Sequence, residues 1–379
     1  MRRLRHVISF IALLFVVTPP FRAAETLPDH LSDTEFWKIV ESVSEPDGVF
    51  PAENFVSNEM KYGDAIRDLQ KATQPGGVYL GVGPEQNFNY IGALKPRIAF
   101  IIDIRRQNLV EHLMYRALFE LSMDRAEFLS RLFSRKLPSS FNSASPSTDL
   151  LNATKAATAD LELYRKNLQD IRTLLISKHG FKLTSADETA LQKIYQAFFD
   201  NGPAITYGTG TSPGVVAAGV AAARGNNTGV PTFADLMTVA DSNGANWSFL
   251  DSDVTYQSVR DMELRNLIIP VVGDFAGPKA IRGVGEYLRE HGETVRTLYA
   301  SNVETYLFIS TTAVSSPAPN GGWKTYFENV STLPLDASST IVRFQGAIGP
   351  GLLYSIQDNL KAVQDGSLNK LGDLYRKTN

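Results

Sequence analysis

Two apolar runs with a glycine turn between them stand out in the first third of the chain. The run at 78–81 is short and rich in β-forming residues, and the run at 98–102 is continuously apolar. A continuous apolar run is typical of a strand that is buried on both faces of a parallel sheet. Residues 88–94 between the runs have the composition of a helix that ends before Pro96. The pattern predicts a β–α–β unit over 76–103, with a further helix over 108–121.

The same alternation returns in the second half of the chain. An apolar run at 267–272 is followed by a helical pattern over 279–290 and a strand pattern over 294–299. A late strand at 340–344 and a helix near 356–374 complete the order. Repeated strand–helix–strand units predict an α/β fold, Rossmann-like, with a mostly parallel sheet and helices on both faces.

The remaining segments divide the chain into further parts. Residues 25–75 are predicted to be a helical lead-in that begins at the N-cap Ser32, and residues 76–379 a single Rossmann-like domain. Helical patterns over 122–200 predict a helical insertion into that domain. The segment 203–231 is dominated by small residues, and long loops in compact domains are usually functional or disordered. We expect this one to cover a pocket.

The N-terminus has the pattern of an export signal. Three arginines precede an apolar stretch at 7–17, which is too short to span a membrane, and Pro19 and Pro20 end it. We therefore expect residues 1–24 to be a signal peptide, the mature protein to have no stable membrane anchor, and its location to be periplasmic or secreted. Removal of the four arginines of this segment changes the formal net charge from −3 to about −7.

Composition excludes several classes of function. No basic run is interleaved with aromatic residues, so nucleic acid is not expected as a partner. The chain has no cysteine and its five histidines are scattered, so no metal site is expected. No nucleophile elbow of the Gly-x-Ser-x-Gly type is present. A small-molecule ligand remains as the expected partner.

The turn after the first strand carries the clearest chemistry. Gly81 and Gly83 allow the backbone to approach a ligand closely, and the helix that starts near Asn87 offers free N–H groups. Asp103 lies 20 residues after Gly83, where a carboxylate can accept hydrogen bonds from ribose hydroxyls. Glu85 and Asn87 of the turn are also expected to contact the ligand, and the Glu85 carboxylate would repel a pyrophosphate. The turn therefore predicts a nucleoside-type ligand with a positive centre, with scaffold glycines as the alternative.

Polar side chains at other predicted strand ends extend this site. Arg105 could hold an anionic group bidentately together with Arg106, or pair with Glu85 or Asp103. Asp274 and Asn302 follow later strands, and carboxyl ends of parallel strands share one edge of the sheet. We expect both side chains to act on the substrate, with Glu304 nearby.

The strand, Gly81-Val82-Gly83 turn, helix and acid-tipped strand together resemble the opening of class I S-adenosylmethionine-dependent methyltransferases. The resemblance implies that the turn passes beneath the methionine and ribose parts of S-adenosylmethionine, that Asp103 binds the ribose, and that Asp274 faces the substrate. Over about residues 78–345 the chain more specifically resembles an uncharacterised bacterial family of exported, methyltransferase-like proteins. The segments that carry this resemblance are LGVGPEQNFNYI, FIIDIRRQN, RAEFLSRLFSR and PVVGDFAGPKAIR. That family implies a fold rather than a reaction.

Two hypotheses of function follow. The first is an S-adenosylmethionine-dependent methyltransferase in which Asp274 positions or deprotonates the acceptor. The second is a non-catalytic exported binding or interaction protein on the same fold. The second is favoured by Tyr79 and Glu85, which stand where the methyltransferases have an acid and a glycine, and by the scarcity of the cofactor outside the cytoplasm.

Overall fold

A computed structural model describes residues 26–73, 75–210, 230–309, 322–346 and 349–376. The predicted signal peptide at 1–24 lies outside the described residues, as does most of the predicted loop at 203–231. No helix in the described ranges is long and apolar enough to cross a membrane.

A six-stranded, mostly parallel sheet forms the centre of this α/β protein. The strands are β1 (Val78–Gly81), β2 (Ile98–Asp103), β3 (Ile268–Val272), β4 (Val295–Ser301), β5 (Thr340–Phe344) and β6 (Gly351–Ser355). Their order across the sheet is β3-β2-β1-β4-β5-β6, and among these described strands only β6 is antiparallel to its neighbour. The chain first builds outward from β1 to β3 and then returns to the other side of β1. The strand order therefore reverses between β1 and β4.

The sequence explains the burial of the first three strands. Every residue of β1, β2 and β3 is buried, including neighbours that point to opposite faces of the sheet. Continuous apolar runs are suited to this position because both faces are covered. The edge strand β6 is half-buried throughout, and its apolar run is short and next to glycines, so the pattern did not predict it.

The helices precede, connect and follow the strands. Their bounds are α1 (Asp33–Val43), α2 (Tyr62–Ala72), α3 (Gln86–Leu94), α4 (Arg106–Leu121), α5 (Arg125–Phe133), α6 (Ser147–Ala156), α7 (Leu161–Arg172), α8 (Ser185–Asn201), α9 (Phe233–Thr238), α10 (Asp253–Leu264), α11 (Ala280–Glu290), α12 (Val303–Phe308), α13 (Trp323–Ser331) and α14 (Ile356–Gln364). A π-helix (Thr173–Lys178) continues α7, and short 3₁₀ helices lie at Gly202–Ala204 and Leu371–Tyr375.

Two groups of helices pack against the sheet. Helix α4 contacts β2 and β3 and also α8 and α10, whereas α1 contacts β3, α11 contacts β2 and α1, and α13 contacts α11. The predicted insertion at 122–200 contains α5 to α8, and α8 attaches it to α4. Ser32 is the N-cap of α1, as predicted, and its hydroxyl accepts from the backbone N–H of Glu35 in a capping box.

The lead-in at 25–75 is helical only at its two ends. Between α1 and α2 an extended stretch crosses the carboxyl ends of the strands. The Glu45 N–H donates to Val272 O and the Gly48 N–H to Ile104 O, each at 2.8 Å. Residues 50–59 of this stretch, here called the N-terminal wall, therefore lie beside the tips of β1, β2 and β4.

Candidate functional site

A cavity opens at the carboxyl ends of β1 to β4, where the strand order reverses. Its volume is about 850 Å³, counting the mouth that is open to solvent. Open α/β sheets bind ligands at such a point because the loops that leave neighbouring strands diverge there. The described residues that line it are Phe50, Asn54, Ser57, Asn58, Glu59, Val82, Gly83, Pro84, Asp103, Ile104, Tyr207, Gly273, Asp274, Phe275, Tyr299, Ser301, Asn302, Val303, Tyr306 and Leu307.

The glycine turn, residues 81–87, is locked by its own last residue. The side-chain amide of Asn87 donates to three consecutive carbonyl oxygens at 2.8 to 3.0 Å, those of Val82, Gly83 and Pro84. A Cβ at Gly81 would lie 1.9 Å from Asn87 Oδ1, so glycine is required there. Gly83 has φ +78° and lines the cavity. Gly81 and Asn87 therefore shape the turn, and Gly83 is the glycine that reaches the cavity.

Glu85 joins the glycine turn to the N-terminal wall. Both carboxylate oxygens accept from the backbone N–H of Ser57 at 3.1 Å, and the side chain is fully buried without lining the cavity. Burial raises the pKa of Glu85 to about 8, although the Ser57 hydrogen bond acts in the opposite direction. The structure thus places this predicted ligand contact behind the cavity surface.

Asp103 ends β2 and lines the cavity, whereas Arg105 is committed to the protein. Asp103 Oδ1 accepts from the Arg105 backbone N–H at 2.9 Å, and burial raises the pKa of Asp103 despite the nearby guanidinium. The Arg105 guanidinium donates to the carbonyl oxygens of Ala52 and Glu53 at 2.7 and 2.5 Å. It also lies 5.7 Å from the centre of the Phe50 ring. Arg105 therefore holds the N-terminal wall against the strand tips.

Arg106 is also occupied by a protein partner. Its guanidinium makes a two-point contact with Asp187 of α8, at 2.6 and 2.9 Å. Its backbone N–H, at the start of α4, donates to Asp47 at 2.7 Å. Of the predicted arginine pair, one member anchors the N-terminal wall and the other the helical insertion.

Asp274 follows β3 and lines the same cavity as Asp103. Its Oδ1 accepts from the backbone N–H of Ala276 at 2.9 Å, and its own N–H donates to Glu45 at 3.1 Å. Gly273 before it cannot carry a side chain, because a Cβ would lie 2.2 Å from that of Ala280. The tight contact with α11 therefore fixes where Asp274 leaves the strand.

Asn302 follows β4 and also lines the cavity. Its side chain hydrogen-bonds Tyr306, which opposes the rise that burial causes in the pKa of that phenol. The preceding Ser301 has φ +50°, a conformation that non-glycine residues seldom adopt and that is common at functional sites. Glu304 points elsewhere: it is buried in an ion pair with Arg343. Asn302 therefore lies at the predicted edge of the sheet together with the other cavity residues, whereas Glu304 stabilises the fold.

Glu59, at the end of the N-terminal wall, is a cavity residue that the sequence did not single out. Its carboxylate accepts from the Tyr299 hydroxyl, the Ser301 hydroxyl and, at 2.8 Å, the Gln86 side-chain amide. Burial raises the pKa of Glu59 to about 7, and these three hydrogen bonds act in the opposite direction. A carboxyl group thus titrates near neutral pH at the cavity surface.

The charge of the cavity has one sign. Glu59, Asp103 and Asp274 line it, and its described lining contains no lysine or arginine. Aromatic rings supply much of the remaining surface, and their faces attract cations. They are Phe50, Tyr207, Phe275, Tyr299 and Tyr306. Such a lining accommodates a ligand with a positive centre better than a phosphate.

No cluster of three or more histidine, aspartate or glutamate side chains arranged to hold a metal ion is found in the part of the chain that the structure describes. His112 of α4 lies near the glycine turn, where its Nε2 hydrogen-bonds Gly83 O at 2.9 Å. Burial lowers the pKa of His112 to about 4, so the ring is neutral and supports the turn.

A family model described as "Domain of unknown function (DUF7790)" matches residues 54–179 and 150–351, which together cover most of the chain. The chain belongs to this family. The matched residues include most of the cavity lining, with Glu59, Asp103, Asp274 and Asn302. No curated protein matches the sequence.

The family match covers the glycine turn and residues 54–59 of the N-terminal wall, although the sequence indicated only the glycine turn as part of the site. Gly83, Asp103, Asp274 and Asn302 follow predicted strands, so the rule for strand ends located them. Residues 54–59 follow no strand, and Glu59 precedes a helix like many surface glutamates. The only available signal was the interruption of the helical pattern between α1 and α2.

Proposed function

We propose that this chain is an exported, methyltransferase-like protein whose cavity binds S-adenosylmethionine. The observation that carries the proposal is the lining of the cavity, with three carboxyl groups, aromatic rings and no cationic side chain in its described part. S-adenosylmethionine carries a sulfonium and an ammonium group, so it complements this lining. A pyrophosphate-containing cofactor would be repelled by it.

The topology supports the finer assignment to a class I methyltransferase-like Rossmann fold. The strand order β3-β2-β1-β4-β5 puts the glycine turn and the Asp103 tip on adjacent strands that end at the cavity. Gly83 lets the backbone approach the ligand, and Asp103 binds the ribose hydroxyls. The aromatic rings face the sulfonium.

In the proposed reaction the methyl group moves from the sulfonium sulfur to an acceptor nucleophile. The sulfonium becomes a neutral thioether, and the acceptor loses a proton. Asp274 and Asn302 also line the cavity, where both orient the acceptor and the Asp274 carboxylate receives its proton. Most of the catalytic effect in such a site comes from alignment of the nucleophile with the methyl group.

Calorimetric titration of the purified protein with S-adenosylmethionine and with S-adenosylhomocysteine tests this proposal. We expect saturable binding of both. Asp103→Asn should weaken it about tenfold, through loss of charged hydrogen bonds to the ribose worth about 1.4 kcal/mol. Asp261→Asn is the matched control, because Asp261 is an exposed member of a surface ion pair. Absence of binding of either compound at millimolar concentration would rule the proposal out.

A second candidate, a non-catalytic binding protein, is favoured by the self-sufficiency of the glycine turn. Hydrogen bonds within the protein already engage the polar side chains of Asn87, Glu85 and Arg105. The cavity is therefore shaped without a cofactor. Incubation with methyl-labelled S-adenosylmethionine and an extract of the cell envelope separates the two: label transfer supports the enzyme, and binding without any transfer supports the binding protein.

A further inference from the structure

Glu59 is held at the cavity by three hydrogen bonds from two different elements. Tyr299 and Ser301 come from β4, Gln86 comes from α3, and the chain at Glu59 belongs to the N-terminal wall. The carboxyl group is almost completely buried, and each oxygen is fixed by at least one of these donors. Its position is therefore as well defined as that of a residue on a strand tip.

All three donors are neutral. Among the described residues no lysine, arginine or histidine forms an ion pair with Glu59. A buried carboxylate without a positive partner is costly, because its charge has left water and only dipoles replace the solvent. An opposite charge that enters the cavity would supply the missing partner.

The titratable groups that surround Glu59 are neutral phenols and other carboxyl groups, so Glu59 is the group that we expect to ionise when such a charge enters. It interacts electrostatically with four tyrosines, on β1, α3, β4 and the described start of the predicted loop, which are Tyr79, Tyr90, Tyr299 and Tyr207. Burial raises the pKa of each phenol, so all four stay neutral at neutral pH. Asp103 and Asp274 line the same cavity, and Glu85 lies behind the glycine turn.

We propose that Glu59 is the counter-charge for the positive centre of the ligand, and that binding of the ligand converts it from the protonated acid to the carboxylate. The inference rests on the proposed function for the identity of the ligand, but it requires only that the ligand be a cation. Since the pKa of Glu59 is about 7, the acid is about half protonated at pH 7. Binding should then release about half a proton for each bound cation.

Proton release on binding measures this directly. The purified protein is titrated at pH 7 with S-adenosylmethionine and, separately, with trimethylsulfonium, in two buffers of different ionisation enthalpy. We expect release from the wild type, and both a loss of that release and about tenfold weaker binding in Glu59→Gln. Comparison of the two proteins cancels any proton that the ligand itself exchanges.

Glu263→Gln is the matched control. Glu263 of α10 is also a buried carboxyl whose pKa burial raises, to about 8, but it does not line the cavity. This variant should release as many protons as the wild type. Equal release by the wild type and Glu59→Gln, with either ligand, would overturn the inference.

The two ligands separate the inference from the proposed function. If S-adenosylmethionine does not bind but trimethylsulfonium causes release that depends on Glu59, the inference stands and the proposed function fails. If S-adenosylmethionine binds without release from Glu59, the proposed function stands and the inference fails. Absence of any response to both cations would overturn both.

Discussion

The two walls of the cavity differ in what they offer a ligand. The carbonyl oxygens of the glycine turn are occupied mainly by its own residue Asn87, and Glu85 accepts from the Ser57 N–H instead of facing the cavity. The N-terminal wall is held by contacts from elsewhere, through Arg105, and presents Glu59 to the cavity. The comparison shows that a turn with a familiar glycine pattern can act mainly as scaffold, while a segment without a pattern supplies the titratable group.

The largest expected effect comes from release of the N-terminal wall. Arg105→Ala removes the donors to the Ala52 and Glu53 carbonyls and leaves Asp103 without its guanidinium. Because loss of one partner leaves a buried charge uncompensated, we expect the free energy of unfolding to fall by about 3–5 kcal/mol. Urea denaturation measures it. The control Arg165→Ala removes an exposed ion pair and should change stability by about 0.5 kcal/mol or less.

An unchanged unfolding midpoint in Arg105→Ala would contradict the view that Arg105 fixes this wall. The same result would mean that the glycine turn and the N-terminal wall are each stable without the other.

Over-packing of the glycine turn should have the next largest effect. A methyl group at Gly81 would overlap Asn87 Oδ1 and approach the Tyr79 ring at 2.7 Å, so Gly81→Ala should cost about 1–3 kcal/mol. Gly372→Ala is the control, because a Cβ there has no neighbour within 4 Å. Thermal unfolding of both variants checks the difference. Equal stability of the two would show that the turn is not as rigid as its contacts indicate.

Glu59 and Glu85, the buried glutamates of the N-terminal wall and the glycine turn, should differ in their pH dependence. Each has a pKa above its ordinary value of 4.5, about 7 for Glu59 and about 8 for Glu85. The folded state therefore holds these protons more tightly, so each group contributes stability that is full below pH 4.5 and is lost as the pH rises through its folded pKa. The resulting fall in the free energy of unfolding is at most about 1.4 kcal/mol per pH unit for each group.

Stability curves of Glu59→Gln and Glu85→Gln sharpen the comparison. Relative to the wild type, Glu59→Gln should flatten the fall in unfolding free energy between pH 4.5 and 7, and Glu85→Gln should flatten it up to pH 8. Urea denaturation at half-unit steps of pH resolves the two windows. Curves parallel to the wild type in both variants would mean that neither carboxyl is protonated in the folded protein at neutral pH.

The sequence predicted the sheet because its strands carry their own signal. The apolar runs at 98–102 and 267–272 are long, uniform and followed by polar residues, and β2 and β3 lie there. The edge strand β6 was not predicted, since half-buried residues need no continuous apolar run. Strand positions were thus readable where burial was complete.

The cavity was predicted only as far as the strand-end rule reaches. That rule brought Gly83, Asp103, Asp274 and Asn302 to one edge, where the structure has them. The rule does not predict that Arg105 donates to the distant carbonyl of Ala52, or that Glu59 lies at the strand tips. Such contacts depend on the path of the chain between α1 and α2, which local periodicity does not encode.

Hydrogen exchange of the whole protein, with and without saturating S-adenosylmethionine, tests the central claim that both walls form one cation-binding cavity. With the ligand bound, we predict slower exchange in residues 50–59, in residues 82–86 and in the loop that precedes α12. We predict no change in the edge strand β6. Protection confined to the glycine turn, protection elsewhere on the protein, or no protection at all would contradict the account.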